Sequence, residues 1–372
     1  MQYTPLSLVQ QRITIGAPLP FNIRDNDGTL LLARGQMIAS MAFRQALFER
    51  GALVDLAELR SPADDAKLAT PEQLPGLWTT CLDTLGQALR DSAKEGFVDA
   101  LNEAAPPVLA LIERDKDLAI FQVLRQQGCG LTQYGIDHSM HAAITGFLVA
   151  QRLGWAADDA LRVFKVALTM NISMLELQGQ LAVQTTPPHA EQRAAILAHP
   201  EISRRMLEIS GVTDKDWLAA VDQHHETPDG RGYPLGLTDP GDIATLVHRA
   251  DVYTAKLSPR HGRDAVAADK AGRMMFMQDP GHPMTAALVK EFGVYPPGCM
   301  VRLASGETGL VVKRGATVMT PVVAVMTSPT GASLAQPERR DTDAPGFAVH
   351  SVLQAVAGSL RISPAALMAV AA

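Results

Sequence analysis

Two adjacent histidines and a carboxylate open residues 224–234, whose sequence is HHETPDGRGYP. They end an amphipathic segment, residues 217–223, in which the spacing of the apolar residues predicts a helix. A sharp turn follows, because Gly230 and Gly232 tolerate backbone conformations that other residues avoid. Imidazole and carboxylate groups bind Zn²⁺ and similar ions, so this helix end is a candidate metal site. The alternative is a polar helix terminus whose histidines interact favourably with the helix dipole.

The complete string is more specific than the histidine pair. It resembles the signature of the HD-GYP family, which runs His-His-Glu, two variable residues, Asp-Gly, one variable residue and Gly-Tyr-Pro, and every fixed position is present. The resemblance implies a bacterial phosphodiesterase of cyclic di-GMP that uses two metal ions to bind the phosphodiester and hold a bridging hydroxide. It also implies that the loop with Gly230, Gly232, Tyr233 and Pro234 contacts diguanylate cyclase domains.

The resemblance extends over roughly residues 130–300 and implies a set of metal ligands. In the family these ligands are an early histidine, the His-Asp pair that gives the family its name, a His-Pro, the His-His pair and an aspartate in an Asp-Val-Tyr helix. The matching positions of this chain are His138, His199, His224, His225 and Asp251. Tyr134, four residues before His138, stands where some family members have a glutamate for a third metal ion.

The His-Asp pair itself is absent from this chain. Where the family has His-Asp-Ile-Gly-Lys, residues 170–174 read MNISM, so Met170, Asn171 and Met174 replace the ligand histidine, the bridging aspartate and the lysine near the phosphate. A thioether is a soft, neutral ligand that suits Cu(I). An amide oxygen lacks the negative charge that offsets the repulsion between two divalent ions. The resemblance therefore implies a degenerate active site, with the half around His138 and Asp251 severely weakened.

Three imidazoles remain in the other half, on His199, His224 and His225. They suffice for one divalent ion, which could be Fe, Mn or Zn, with an open coordination position. The alternative is that these histidines are only hydrogen-bonded and that the protein holds no ion.

A second motif concerns the substrate. After the aspartate helix the family often has Arg-Pro-Tyr-Arg, whose cations meet the phosphates; residues 260–263 of this chain read RHGR. Arg260 and Arg263 therefore match the family's phosphate-binding positions, and guanidinium groups are well suited to bidentate phosphate contact. The alternative is a pair of solvated arginines in a loop.

The composition is that of a folded protein. The chain has 372 residues, of which 47% are hydrophobic and 19% charged, and its formal net charge of −6 excludes a general nucleic-acid binder. No apolar run reaches about 18 residues and no basic start precedes an apolar segment, which favours a cytoplasmic protein with no membrane span. Cys81, Cys129 and Cys299 are widely separated, as expected of reduced thiols.

The elements that must position these residues are mainly helical. We predict a mainly α fold, with an HD-type all-helical core, a small N-terminal α+β module and a short C-terminal β appendage. The predicted segments are an α+β module at 1–60, a linker at 61–75, a helical scaffold at 76–130, the HD-GYP-like domain at 131–292, the β appendage at 293–327, and a loop with a C-terminal helical tail at 328–372.

These features favour a degenerate HD-GYP protein in cyclic di-GMP signalling. We expect a module that binds a cyclic dinucleotide or a protein, such as a diguanylate cyclase domain, with lost or reduced phosphodiesterase activity. The alternative is an active metal-dependent phosphodiesterase that uses the remaining ligands. A scaffold that uses neither metal nor nucleotide is a third interpretation.

Overall fold

The computed structural model describes residues 2–125, 131–261, 263–353 and 364–371, so Cys129 and Gly262 lie outside the described residues. Within these ranges, most of the regular structure is helical and two small sheets are present, so the predicted mainly α fold class is confirmed. The chain divides into two compact units, Met1–Leu68 and Ala69–Ala372. Of the helices described, none is both long and apolar enough to traverse a lipid bilayer.

The N-terminal unit is a small α+β module. Its elements are β1 (Tyr3–Pro5), a 3₁₀ helix (Leu6–Arg12), β2 (Ile23–Arg24), β3 (Leu30–Leu32), α1 (Met41–Glu49), β4 (Leu53–Asp55), a second 3₁₀ helix (Leu56–Leu59) and α2 (Pro62–Leu68). The strands form an antiparallel sheet in the order β1-β4-β2-β3 around a core that includes Phe21 and Val54. Ser40 caps α1 by accepting a hydrogen bond from the Phe43 amide (3.1 Å). Helix α2 occupies part of the segment that we predicted as a linker.

The larger unit begins with a series of helices. These are α3 (Leu74–Arg90), α4 (Phe97–Arg114), α5 (Lys116–Leu124), α6 (Leu131–Arg152), α7 (Ala157–Thr169), α8 (Leu175–Val183), α9 (Ala190–Ile209), α10 (Lys215–Gln223), α11 (Asp242–Leu257), α12 (Ala268–Gln278) and α13 (Pro283–Phe292). Helix α4 continues through Pro106 and Pro107, although proline is unfavourable inside a helix. Its buried apolar face packs on α3, and this packing overrides the local preference.

Helix α6 is the central element of this unit, since α7, α8, α11 and α13 pack around it and α3 and α5 contact it as well. Two glycines permit close helix packing. A Cβ atom at Gly135 would lie 2.5 Å from the Leu175 carbonyl oxygen, and one at Gly146 would lie 2.8 Å from a Val163 methyl carbon. Helix α6 is therefore held closely against α7 and α8, and it carries Tyr134 and His138 into the interior of the bundle.

A second sheet follows the helices. Its strands are β5 (Met300–Leu303), β6 (Thr308–Lys313), β7 (Val322–Thr327), β8 (Ser333–Asp341) and β9 (Val349–Leu353), in the antiparallel order β8-β7-β6-β5-β9, and α14 (Pro364–Ala371) comes last. The first three strands lie within the segment 293–327, which we predicted as a β appendage. Within 328–372, which we predicted as a loop with a C-terminal helical tail, the structure has β8, an edge strand with the sequence SLAQPERRD. Its polar residues hide the usual hydrophobic alternation, and an edge strand tolerates Pro337.

Candidate metal centre

Three histidines lie together where α9 and α10 meet. His199 lies within α9, His224 caps the C-terminus of α10, and His225 follows it. Their candidate ligand nitrogens all lie within 4.8 Å of one another. Among the described residues, this cluster has the composition and spacing of a metal site, and it contains the three imidazoles that the sequence assigns to the surviving half of the centre.

The hydrogen bonds of two of these rings define where their protons lie. The Nδ1 atom of His199 is 2.5 Å from the Ile196 carbonyl oxygen, and the Nδ1 atom of His224 is 2.7 Å from the Val221 carbonyl oxygen. A carbonyl oxygen only accepts, so both Nδ1 atoms carry protons, and in the neutral rings both Nε2 atoms present lone pairs. Yet these two Nε2 atoms are 3.1 Å apart. Two lone pairs at this distance repel each other unless a cation lies between them.

The electrostatics of the cluster favour neutral rings. Burial lowers the pKa of His199 to about 4 and that of His225 to about 3, and it also lowers the pKa of His224 well below its ordinary value. Neutral imidazole is the form that binds metal ions. Metal-bound histidines usually donate their other N–H group to a carbonyl or carboxylate, which is the arrangement of His199 and His224. The residues therefore fit a bound divalent cation.

Two neighbours hold the histidine pair in place. The ring of Tyr233 stacks on His225, with centroids 4.5 Å apart and planes 22° from parallel. The Nδ1 atom of His248 donates to the His224 carbonyl oxygen (2.9 Å). We did not predict this role for His248. Its spacing could have indicated it, because His248 and Asp251 are three residues apart in α11 and therefore share a face.

The other predicted ligands form a separate contact. His138 Nε2 and Asp251 Oδ1 are 2.6 Å apart, a direct hydrogen bond between side chains of α6 and α11. Burial opposes ionisation of Asp251, but the hydrogen bond and charge of His138, with nearby His225 and His224, hold the pKa of this carboxyl well below its ordinary value. The His138 Nδ1 atom is buried and has no hydrogen-bond partner among the described residues.

The replaced residues lie in a buried turn directly after α7. Met170 and Asn171 are almost fully buried, and Met174 is buried at the start of α8. Between them, Ser173 donates a hydrogen bond from its hydroxyl to the His199 carbonyl oxygen (3.1 Å). The turn is therefore fixed against α9 beside the histidine cluster, and its side chains contribute no imidazole, carboxylate or ammonium group.

Glu226, the carboxylate of the initial motif, organises the loop instead of joining the cluster. Its oxygens accept hydrogen bonds from the backbone amides of Leu235 (2.6 Å), Gly236 (3.1 Å) and Leu237 (2.9 Å). A Cβ atom at Gly232 would lie 2.5 Å from the Glu226 Cα atom, so only glycine permits this close packing of the loop. The loop folds back on the helix end and carries Tyr233 onto His225.

The two arginines have different surroundings. Arg260 is partly buried, its Nε donates to the Tyr134 hydroxyl (2.9 Å), and its guanidinium lies over the Tyr134 ring at 5.7 Å. Tyr134 is one helical turn before His138 in α6, so the two side chains share a face of that helix. Arg260, bound to Tyr134, therefore lies on the same side of α6 as His138. Arg263 is exposed and donates to the Ala255 carbonyl oxygen (2.6 Å).

Comparison with known proteins relates the chain to phosphodiesterases. It is 36% identical over 140 residues to the cyclic di-GMP phosphodiesterase PA4108 of Pseudomonas aeruginosa, covering 35% of this chain and 33% of that protein. It is 28% identical over 147 residues to the 3'3'-cGAMP-specific phosphodiesterase 3 of Vibrio cholerae, covering 38% of this chain and 31% of that protein. The matches thus span about a third of the length of each relative. No family model matches the chain.

Among solved structures, the fold is similar to that of Bd1817, an HDG"Y"P protein from Bdellovibrio bacteriovorus. The TM-score is 0.50 at 15% sequence identity, over 78% of this chain and 98% of that chain. With the sequence matches, this similarity confirms the resemblance to the HD-GYP family inferred from residues 224–234.

The Glu226 contacts predict the effect of Glu226→Gln. An amide presents one acceptor oxygen and loses the charge, so at least one of the three backbone hydrogen bonds is lost in a buried site. We expect the free energy of unfolding to fall by about 2 kcal/mol. Amide hydrogen exchange at Leu235 and Gly236 should accelerate. Asp229→Asn, in an exposed part of the same loop, is the control; equal effects of both changes would contradict this role of Glu226.

Proposed function

We propose that this protein binds a cyclic dinucleotide at a centre with one metal ion and has little or no phosphodiesterase activity. The observation that carries the proposal is the division of the predicted ligands into two groups. His199, His224 and His225 converge on one point, whereas His138 and Asp251 are hydrogen-bonded to each other. The two relatives support a cyclic dinucleotide as the ligand, since one is a phosphodiesterase of cyclic di-GMP and the other of 3'3'-cGAMP.

The donor set favours one ion. Three neutral imidazoles suit Zn²⁺ or Fe²⁺ better than the harder Mn²⁺, which prefers carboxylate ligands. A second ion near His138 and Asp251 would need the negative charge that Asn171 does not supply, since two divalent ions close together repel each other strongly. Asp251 Oδ1 is hydrogen-bonded to His138 Nε2.

The chain's own groups would bind the phosphate. When bound, a divalent ion at the three histidines supplies a Lewis acid for a phosphoryl oxygen. Arg260, held by Tyr134, offers its remaining N–H donors to a second oxygen. Because Tyr134 already orients the guanidinium, less side-chain entropy is lost on binding.

Hydrolysis requires groups that the turn after α7 lacks. A phosphodiesterase must activate a water molecule and stabilise the leaving oxygen. Asn171 is neutral and holds no bridging charge, and Met174 brings no cation to the phosphate. Met170 and Asn171 are buried in the packed turn, so there is little room there for another side chain to take over the roles of the family's His-Asp pair. Binding and catalysis are therefore separable in this site.

The loop's role in contacting diguanylate cyclase domains stays a proposal, and the geometry suggests which residues could serve it. Tyr233 is partly buried against His225, so its removal would disturb the centre. Leu235 is 63% exposed, and Arg231 is also exposed. We assign any protein contact of this loop to Leu235 and Arg231.

The proposal predicts that cyclic di-GMP and 3'3'-cGAMP remain intact when incubated with the protein and excess Mn²⁺, Fe²⁺ or Zn²⁺, as followed by chromatography. The physical reason is that Asn171 and Met170 cannot complete a second metal site. The double variant Met170→His/Asn171→Asp is the matched comparison, because it restores the family's pair. Turnover of the unaltered protein on the order of 1 s⁻¹ would show that the rival, an active phosphodiesterase, is correct.

Binding should depend on Arg260 more than on Arg263. The test is calorimetric titration with cyclic di-GMP and 3'3'-cGAMP. Arg260→Gln should lower the affinity for the more tightly bound nucleotide roughly tenfold or more, since a charge-assisted hydrogen bond is lost. Tyr134→Phe removes the hydroxyl that orients Arg260 and should weaken binding to a smaller extent. Arg263→Gln is the control and should change the affinity less than Arg260→Gln. Binding of neither nucleotide, or equal affinity for wild type and Arg260→Gln, would contradict the proposal.

A further inference from the structure

Helix α9 presents one of its sides to solvent. Its buried residues, which include His199, Ser203 and Leu207, form the opposite side, and α10 packs against this helix. On the outer side Ile202 is 44% exposed and Ile209 is 87% exposed. Exposed apolar residues are ordinary where they are scattered singly, but a contiguous group on one face of a helix marks an interaction surface.

The exposed apolar residues of α9 follow a helical repeat. Positions 194, 198, 202 and 206 are four residues apart, and positions 195, 202 and 209 are seven apart, so all six share one face. These residues, which we call the apolar face of α9, are Ala194, Ala195, Ala198, Ile202, Met206 and Ile209, and each is exposed or partly exposed. Leu197 is also exposed (53%), but it precedes Ile202 by five residues and therefore lies about 140° away around the helix.

The side chains of the apolar face change in size along the helix. Its first part consists of alanines, whereas Ile202, Met206 and Ile209 are large. Two helices pack best where a large side chain of one meets a small side chain of the other. Two copies of α9 meet this condition when they are antiparallel, because Ala195 then lies opposite Ile209 of the second copy. Ala198 lies opposite Met206, and the two Ile202 side chains meet at the centre. A twofold axis perpendicular to the helix generates this arrangement, in which the same surface serves both copies.

Charged groups border the apolar face and fit the same arrangement. Glu201 and Arg205 lie one helical turn apart on the same edge of this face and form an ion pair within the chain, with side chains 45% and 63% exposed. In the antiparallel pair, Glu201 of one copy lies opposite position 203 of the other, which is about 3 Å along the helix axis from Arg205. Each Arg205 is then within reach of its own Glu201 and of that of the second copy. The two copies are therefore complementary in charge as well as in shape.

We propose that the apolar face of α9 binds the same face of a second copy of this chain, so that the protein forms an antiparallel twofold dimer. The helix has 20 residues and is about 30 Å long. Two helices of this length form an interface at the low end of specific interfaces, below about 1,200 Å². The dimer is therefore weak and dissociates on dilution. His199 lies on the opposite, buried side of α9, so this inference does not depend on the proposed binding of a metal ion or a nucleotide.

Sedimentation of the chain at concentrations from micromolar to millimolar, without added metal or nucleotide, should show a change from monomer to dimer. Ile202→Glu places two carboxylates at the axis and should lower the association constant at least about tenfold, since both lose water when the copies meet. Leu197→Glu is the matched control. It adds the same charge to the same helix at a side chain of similar exposure, 53% against 44%, but outside the apolar face, and it should leave the association constant nearly unchanged.

A second experiment separates contacts between copies from contacts within one chain. Glu201→Arg and Arg205→Glu each place like charges on neighbouring turns of their own helix. Each variant alone should dimerise more weakly than the unaltered protein, because like charges also meet across the axis. In an equimolar mixture, the two arginines of one variant face the two glutamates of the other. Native mass spectrometry, which distinguishes the variants by mass, should therefore show mixed dimers in excess of the share that random pairing gives.

These outcomes decide between a second copy and another occupant of this face. A chain that remains monomeric at the highest concentration would overturn the proposal and would leave the apolar face to a different protein. Equal weakening by Ile202→Glu and Leu197→Glu would also overturn it, as would mixed dimers that do not exceed the random share. If Ile202→Glu does not fold, the mixture of charge-reversed variants decides, because both of its changes are at exposed side chains.

Discussion

The close approach of the His199 and His224 Nε2 atoms, 3.1 Å apart, is the contact on which the rest of the site depends. Each ring is fixed by a hydrogen bond from Nδ1 to a carbonyl oxygen in the turn that precedes it, so neither can rotate away without leaving a buried donor without a partner. The third ring, His225, is held by a different contact, because it stacks against the ring of Tyr233. The backbone therefore maintains three imidazoles in a geometry that a cation stabilises.

Helix α6 connects the parts of the domain that bear on function. It carries His138, which is paired with Asp251, and Tyr134, which orients Arg260. Gly146 and Gly135 allow the helix to pack closely against α7 and α8, so its position in the bundle is fixed.

Much of this arrangement could be predicted from the sequence, because the helical periodicity and the string at 224–234 depend on local patterns. The predicted mainly α fold, which follows from these local patterns, agrees with the structure. The sequence could not show that Glu226 binds loop amides or that Tyr134 holds Arg260, since these partners are nine or more residues apart and are brought together only by the fold. Strand β8 was missed because an edge strand needs no apolar alternation.

The most direct test of this account is the number of metal ions per chain. Protein purified without chelator, incubated with Zn²⁺ or Fe²⁺ and desalted, should contain one equivalent by mass spectrometry of the metal. The same content should remain after His138→Ala, whose pair with Asp251 lies outside the three-histidine cluster, and should be lost after His224→Ala. Two equivalents in the unaltered protein, or none, would contradict the account of a single ion held by three imidazoles.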